Sequence, residues 1–184
     1  MLVRRLTLAV MLILMAGLTR GFTRLPAIYY MTGPSMEPTV LAQEYFTTGT
    51  PGALARGQLV LFRYQDEDGV FHVLRRLAGL PGDTVAMRDG VAVVNGRAQS
   101  WPFRIIEPRA AISPLAREPN LYSWGPVVVP PDSVFLLADT RDIIGWPDSR
   151  FLGPVPRSVI VAAPRRIVYS PIRSRLLKRL AIGQ

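Results

Sequence analysis

The hydrophobic positions form one long run near the N-terminus and many short runs through the rest of the chain. Residues 6–19 carry no charge and are preceded by Arg4 and Arg5. From residue 59 onward, short runs of β-branched, aliphatic and aromatic residues are separated by Gly, Pro and the pairs Asp-Gly and Asn-Gly. Such runs between such pairs are typical of strands joined by hairpins. The pattern therefore predicts a mainly β, antiparallel domain that follows an apolar N-terminal segment.

The apolar N-terminal segment is compatible with three structures. The uncharged run 6–19 is shorter than the ~20 residues that a straight spanning helix needs, and Arg20 and Arg24 separate it from the apolar residues 25–31. It can be a signal peptide that is cleaved off, a buried helix of a soluble domain, or a single transmembrane anchor over residues 1–28 with Arg20 snorkelling to the interface. Arg4 and Arg5 favour an N-terminus on the inner side of the membrane.

The remainder divides into a β-rich domain over residues 29–170 and a basic tail over residues 171–184. The strands that we expect are residues 59–64, 70–78, 85–88, 91–94, 133–137, 158–162 and 166–169. Residues 99–131 are rich in Pro and Trp without a lasting period, which predicts an ordered, cap-like surface insertion. In the tail, residues 172–180 fit either a short amphipathic helix on a membrane surface or a solvated charged tail.

Composition excludes several kinds of site. The chain has no Cys and a single His, His72, which argues against disulfides, a thiol nucleophile and a His-rich metal site. We therefore expect neither a metal nor a cofactor. The formal net charge is +9, which favours an anionic partner. Because no nucleic-acid-binding motif accompanies the charge, an anionic phospholipid membrane is the better candidate than a nucleic acid.

Three sequence blocks carry candidate chemistry. The first, residues 33–39, reads Gly-Pro-Ser-Met-Glu-Pro-Thr and places Ser35 in a turn. The second, residues 75–85, reads RRLAGLPGDTV, and the third combines ADTRD at residues 138–142 with DSR at residues 148–150. Together, and in this order, the blocks resemble those of type I signal peptidases, the membrane-anchored serine proteases that remove leader peptides from exported proteins.

The resemblance implies a role for each matching residue. Ser35 would be the nucleophile, and Gly33, Met36 and Pro38 would complete the nucleophile box and oxyanion hole. Arg75 stands where the family has its catalytic Lys. The residues expected to support the site structurally are Arg76, Gly79, Pro81, Gly82, Asp83, Asp139, Arg141, Asp148, Ser149 and Arg150. The resemblance also favours the anchor at residues 1–28, a catalytic domain on the extracytoplasmic side of the cell membrane, and the signal peptides of preproteins as substrates.

Two departures from the family pattern concern the general base. The alternation of Phe71, Val73, Arg75 and Leu77 predicts that Arg75 points to an apolar face, yet a guanidinium is not deprotonated in proteins. Residues 143–147 also lack the hydroxyl that usually orients the Lys. His72 is three residues from Arg75, so a regular strand would turn it to the opposite face. The sequence therefore leaves open an active peptidase, a non-cleaving relative that binds preproteins or partners, and a maturation protease for conjugation or pilin components.

Overall fold

The computed structural model describes residues 26–105, 122–141 and 147–180. In that part, the chain forms eleven strands, one short α-helix and two 3₁₀ turns. The strands are β1 (Ile28–Tyr30), β2 (Tyr45–Gly49), β3 (Leu59–Asp66), β4 (Gly69–Gly79), β5 (Thr84–Arg88), β6 (Val91–Val94), β7 (Arg97–Ala98), β8 (Trp124–Val128), β9 (Ser133–Leu137), β10 (Val155–Pro156) and β11 (Ile160–Tyr169). The helix is α1 (Ser149–Leu152), and the 3₁₀ turns span Arg157–Val159 and Arg173–Arg175.

All strand pairs are antiparallel and form two sheets, so the mainly β, antiparallel prediction is confirmed. The larger sheet has the order β1-β2-β11-β3-β4-β9-β10 and the smaller one β7-β6-β5-β8. In the hairpin of β3 and β4, Asp66 pairs with Gly69, so both strands extend beyond the predicted bounds of residues 59–64 and 70–78. The predicted strand at residues 133–137 is β9 with unchanged bounds.

The centre of the larger sheet is buried on both faces. On one face, Leu59, Leu61 and Leu74 pack with Met36 and Phe46. On the other, Val60, Phe62, Val73 and Leu77 pack with side chains of β9. Because this part of β4 lies at the centre of the sheet, the side chains of its residues 73–79 are buried on either face. Arg75 and Arg76 are among them.

The smaller sheet follows from two Gly-containing turns. Asp89 and Gly90 have φ of 48° and 81°, and Asn95 and Gly96 have φ of 51° and 76°. Both turns need left-handed backbone at two successive residues, which Asp, Asn and Gly tolerate. The hairpins β5–β6 and β6–β7 result, as their Asp-Gly and Asn-Gly pairs predict.

The Pro- and Trp-rich segment contributes more than the predicted surface insertion. Its residues 124–128 form β8, which pairs with β5, and Trp101 is buried in the core between the sheets. The Trp124 ring stacks on Phe135 with 5.5 Å between centroids. Residues 106–121 lie outside the described part. The burial of Trp101 and the partial burial of Trp124 against neighbouring strands stabilise this segment, although its sequence has only a weak strand pattern.

The C-terminal part differs from prediction in two ways. The two short strands expected at residues 158–162 and 166–169 are largely one strand, β11, with irregular register against β2 and β3. The amphipathic-helix alternative for residues 172–180 is wrong. Instead, the Leu177 N–H donates to the Ile167 carbonyl at 2.8 Å and the Leu180 N–H to Arg165 at 2.9 Å. The tail thus returns along β11, where backbone hydrogen bonds satisfy it without a helix.

The predicted anchor at residues 1–28 lies almost wholly outside the described residues, since they begin at residue 26. Among the residues that are described, no helix has the length and apolarity needed to cross a bilayer. The anchor therefore stays a prediction.

Candidate active site

Ser35 lies in a turn that follows β1. Contacts with residues that are distant along the chain hold this turn in place. Its neighbour Met36 is fully buried among core side chains. Thr140 secures the turn from the other side: its hydroxyl donates to the carbonyl of Pro34 at 2.5 Å and to that of Glu37 at 3.2 Å, and its N–H donates to the Ser35 carbonyl at 3.0 Å. Packing and three hydrogen bonds from Thr140 therefore hold the backbone of the turn that carries Ser35.

Arg75 is buried directly beside Ser35. Its Nη1 donates to the Ser35 Oγ at 3.2 Å and to the Leu74 carbonyl at 2.6 Å, and its Nε donates to the Pro147 carbonyl at 3.0 Å. Arg75 is 1% exposed, and so is Arg76, because both faces of β4 are covered at this point. The structure thus joins the two candidate catalytic residues, 40 positions apart in the chain, by a hydrogen bond.

Burial lowers the pKa of the Arg75 guanidinium to about 10. The negative charges of Asp148 and Asp139 favour its protonated form, whereas the positive charge of Arg150 opposes it. Even the lowered value leaves Arg75 cationic at neutral pH. Arg75 is therefore a hydrogen-bond donor to Ser35 and cannot accept its proton, which agrees with the chemistry expected of a guanidinium.

Arg76 makes a buried ion pair with Asp139 on the opposite side of β4. Its Nε and Nη2 donate to the two carboxylate oxygens at 2.7 and 2.6 Å. The remaining N–H groups reach the Gly57 carbonyl at 2.7 Å and the Thr39 hydroxyl at 2.8 Å. This bidentate pair ties β4 to the segment after β9, next to the Thr140 that holds the nucleophile turn.

The Asp148–Arg150 segment braces the same region through the short helix α1. Asp148 caps the helix by accepting from the Arg150 N–H at 2.9 Å, and it also accepts from the Ala138 N–H at 3.0 Å. The Ser149 hydroxyl accepts from the Leu136 N–H at 2.9 Å. Burial opposes ionisation of Asp148, but the Arg150 charge and the hydrogen bonds outweigh it and hold the pKa of Asp148 below its usual range. These residues fasten α1 to β9.

Arg141 is buried between Phe103 and the turn after β5. Its Nε donates to the Gly90 carbonyl at 3.0 Å, its Nη1 donates to the Ala138 carbonyl, and its guanidinium lies 5.4 Å from the Phe103 ring centroid. Burial lowers its pKa to about 10. Its contacts join the two sheets rather than reach Ser35.

The loop over residues 79–83, at the end of β4, contains further residues that were expected to support the site. Asp83 accepts from the Leu80 N–H at 2.8 Å, from the Asn95 amide at 2.9 Å and from two nitrogens of Arg56. The hydrogen bonds from Arg56 are the main reason that the pKa of Asp83 falls to about 2. These hydrogen bonds hold the loop in place and do not reach Ser35 or Arg75. Asp83 therefore stabilises the fold and does not contact the reacting groups.

Gly79 and Gly82 of that loop are each required for a different physical reason. A Cβ on Gly79 would lie 2.6 Å from the Val85 side chain, so only glycine fits the close approach of β4 and β5. Gly82 has φ of 82°, a left-handed conformation that favours glycine. Pro81 is exposed in the turn between them.

An open groove of about 290 Å³ leads to Ser35 and Arg75. It lies between β1 and the first half of β4, and its walls include Tyr29, Leu61, Phe71 and Val73. β4 pairs with β9 only from Arg76 onward. Within the described residues, no strand pairs with residues 70–75 on that side, so the groove has a free strand edge.

His72 faces the groove from the side of Tyr29. Its ring meets the Tyr29 ring edge at 5.6 Å between centroids, and its Nδ1 lies 3.4 Å from the Tyr29 hydroxyl. It is exposed, and its contact is with Tyr29 rather than with Ser35. The geometry therefore gives no support to His72 as the base.

The sequence reasoning missed Thr39 and Thr140, which hold the nucleophile turn and the Arg76–Asp139 pair. A hydroxyl residue next to Asp139 is visible in the sequence. Its role could not be read from the sequence, because the turn that it holds, residues 34–37, lies about a hundred positions earlier in the chain.

Asp139→Asn is expected to lower the free energy of unfolding by about 3–5 kcal/mol, because Arg76 would be left buried without its counter-charge. Chemical denaturation measures the loss. Asp132→Asn is the matched control, since Asp132 is exposed, and it should change stability by less than about 0.5 kcal/mol. Equal stability of both variants would show that the ion pair does not hold β4 in place.

Comparisons with known proteins bear on the family of the chain. A sequence model described as signal peptidase, peptidase S26, matches residues 2–169. Signal peptidase I of Bacillus amyloliquefaciens is 34% identical over 136 residues, which cover 70% of this chain and 68% of that protein. Signal peptidase I T of Bacillus subtilis (strain 168) is 31% identical over 171 residues, which cover 87% and 81%.

A crystal structure of a signal peptidase I from Enterococcus faecalis aligns with 60% of this chain and 96% of its own, with a TM-score of 0.41 and 24% identity. This alignment is too distant to add support. The sequence matches suffice, because the family model spans most of the chain. The chain belongs to the signal peptidase family, peptidase S26.

Proposed function

We propose that this chain is a signal peptidase I-type serine endopeptidase that removes N-terminal leader peptides from exported preproteins, with Ser35 as its nucleophile. The observation that carries the assignment of Ser35 is its hydrogen bond to Arg75 at the end of the groove. The family membership makes a peptidase the preferred function, and nothing in the geometry favours the non-cleaving or pilin-maturation alternatives.

The groove suits an extended peptide. β1 forms the outer edge of the larger sheet, and residues 70–75 of β4 form the facing free edge. A strand laid between them would make main-chain hydrogen bonds to both, as in other cases of strand addition. Its alternate side chains would meet the apolar and aromatic walls, and its scissile carbonyl would arrive at Ser35.

The chemistry at Ser35 then depends on stabilising negative charge. The Ser35 hydroxyl loses its proton to water or hydroxide in the groove, and the Oγ attacks the carbonyl carbon while negative charge develops on the carbonyl oxygen. When the peptide bond breaks, the departing amine takes a proton from water. Arg75, donating from Nη1, favours the ionised Oγ electrostatically, and the Ser35 backbone N–H is the candidate donor to the oxyanion. Arg75 takes no proton in this scheme. Activity should therefore rise with pH, since the ionised fraction of Ser35 increases.

Incubation of the purified full-length chain with a preprotein in detergent tests the proposal. The expected result is a single cut at the end of the leader, identified by mass spectrometry of both products. Intact preprotein after prolonged incubation at pH 7 and at pH 9, with a folded enzyme, would contradict it.

We also propose that the protein is held at the membrane by residues 1–28, with its catalytic domain on the extracytoplasmic side. A surface of the described part supports this. The rings of Tyr30, Tyr45 and Tyr169 form a continuous exposed row. Leu176 and Leu177 are exposed in the tail, next to Lys178. Exposed aromatic and aliphatic side chains with basic neighbours are suited to an anionic lipid interface.

Full-length protein is expected in the membrane fraction and should resist extraction with alkaline carbonate, because residues 1–28 would stay attached as a spanning helix. Immunoblotting of the fractions, with N-terminal sequencing, checks this. A soluble protein that starts near residue 18 would instead identify the segment as a cleaved leader.

A further inference from the structure

Arg75 is a buried cation whose hydrogen-bond partners are neutral. In the described part of the chain, its acceptors are the Ser35 hydroxyl and the carbonyls of Leu74 and Pro147. Its Nη2 is buried and has no partner among those residues. The adjacent Arg76, by contrast, has a carboxylate on two of its nitrogens. The two neighbours on β4 therefore differ in whether their charge is directly paired.

Among the described residues, the carboxylates near Arg75 are paired with other cations. Asp148 bonds to Arg150 and Asp139 bonds to Arg76. Both favour the charge on Arg75 from a distance, while Arg150 opposes it. A buried guanidinium without a direct counter-charge is costly. Within the part of the chain that the structure describes, the charge of Arg75 at the Ser35 end of the groove thus has no direct counter-charge, and a ligand that brings an anionic oxygen there would be stabilised.

Peptide cleavage supplies such an oxygen. When water hydrolyses the ester bond between the carbonyl carbon of the leader and the Ser35 Oγ, the Oγ regains a proton and the new carboxylic acid gives its own proton to water. The leader then ends in a carboxylate at the carbon that Ser35 had attacked. The Ser35 Oγ lies 3.2 Å from the Arg75 Nη1, so a carboxylate oxygen formed there arises within reach of the guanidinium. The uncleaved substrate has only a neutral amide at this point.

We propose that Arg75 forms a carboxylate-binding subsite that retains the cleaved leader peptide by its new C-terminus. The inference rests on the proposed function of the groove and adds to it a preference for product over substrate. Hydrogen bonds to charged groups are stronger than those between neutral groups. The free leader peptide is therefore a competitive inhibitor of the chain.

A pair of peptides tests the subsite. Both contain about the last eight residues of the leader of a preprotein whose mature N-terminus is known, carry a fluorophore at the N-terminus and end at that cleavage site. One ends in a free carboxylate and the other in an amide. Fluorescence anisotropy with the full-length chain in detergent gives their Kd values. The acid is expected to bind roughly ten- to a hundredfold more tightly than the amide.

Substitution of Arg75 separates this role from mere packing. In Arg75→Met the acid and the amide should bind with equal Kd, whereas Arg157→Gln, which removes an exposed Arg outside the groove lining, should keep the preference. Arg75→Lys covers the case in which the Met variant does not fold. Its preference for the acid should be present at pH 6 and decline as pH rises and the buried ammonium loses its proton, while the wild type keeps its preference at pH 9.

Equal binding of acid and amide to the wild type would overturn the subsite and leave the peptidase assignment intact, provided that preprotein is cleaved. The same holds if Arg75→Met retains the full preference for the acid. Failure of the proposed function has a different signature, in which neither peptide binds and preprotein stays whole.

Discussion

Ser35→Ala is expected to reduce preprotein cleavage below detection, a loss on the order of 10³-fold or more. The variant has no atom that can attack the carbonyl carbon, and the other groups at the site cannot replace it. Gel analysis of preprotein cleavage, with equal amounts of enzyme, measures the effect.

The substitution should leave the fold unchanged. Only one of the three hydrogen bonds donated by Arg75 ends on the Ser35 hydroxyl, so the free energy of unfolding should change by about 1 kcal/mol or less. Ser158→Ala is the matched control, since Ser158 is exposed, and it should cleave at the wild-type rate. A Ser35→Ala variant that cleaves as well as wild type would show that Ser35 is not the nucleophile.

Arg75→Lys is expected to raise the rate of cleavage by roughly ten- to a hundredfold. A buried Lys loses its proton far more readily than Arg because desolvation lowers its pKa, so it can accept the Ser35 proton that Arg75 cannot. The gain should stay below the largest factors that general bases provide. The neighbouring acceptors are carbonyls such as that of Pro147, which stabilise the ammonium form.

The pH dependence gives this prediction its sharpest form. A lysine base works only when deprotonated, so the advantage of Arg75→Lys should be small at pH 6 and grow at alkaline pH. Initial rates over pH 6–10 for both proteins provide the comparison. If the substitution lowers an already high wild-type rate, then the charge of Arg75 contributes more to catalysis than a general base at this position does, and its equivalence to the family's Lys fails.

Ser35 illustrates how much of the site is readable from sequence. The box around it and the two downstream blocks indicate the family and pick out Ser35 and Arg75. The alternation along β4 also predicts that Arg75 points inward, and the side chain is buried. What Arg75 contacts could not be predicted, because Ser35 and Pro147 lie 40 and 72 positions away along the chain. Only packing of the sheet brings them together.

Thr140 and the C-terminal tail show the limits of local pattern. A threonine in a polar loop carries no signal for the three hydrogen bonds that hold the nucleophile turn. The tail has a helical arrangement of charges and aliphatics, yet it runs along β11, because an available strand edge satisfies its backbone groups. Residues 124–128 likewise become a strand only because β5 is there to pair with them.

The sequence by itself determined the features that depend on neighbouring residues. These are the hairpins at Asp89-Gly90 and Asn95-Gly96, the apolar runs that form β3 and β4, and the order of the three motif blocks. Tertiary structure alone decided which buried cations are paired. Arg76 meets Asp139 while Arg75 meets neutral oxygens, although the two are adjacent in sequence. A strand sends successive side chains to opposite faces, and each face is completed by residues from distant parts of the chain.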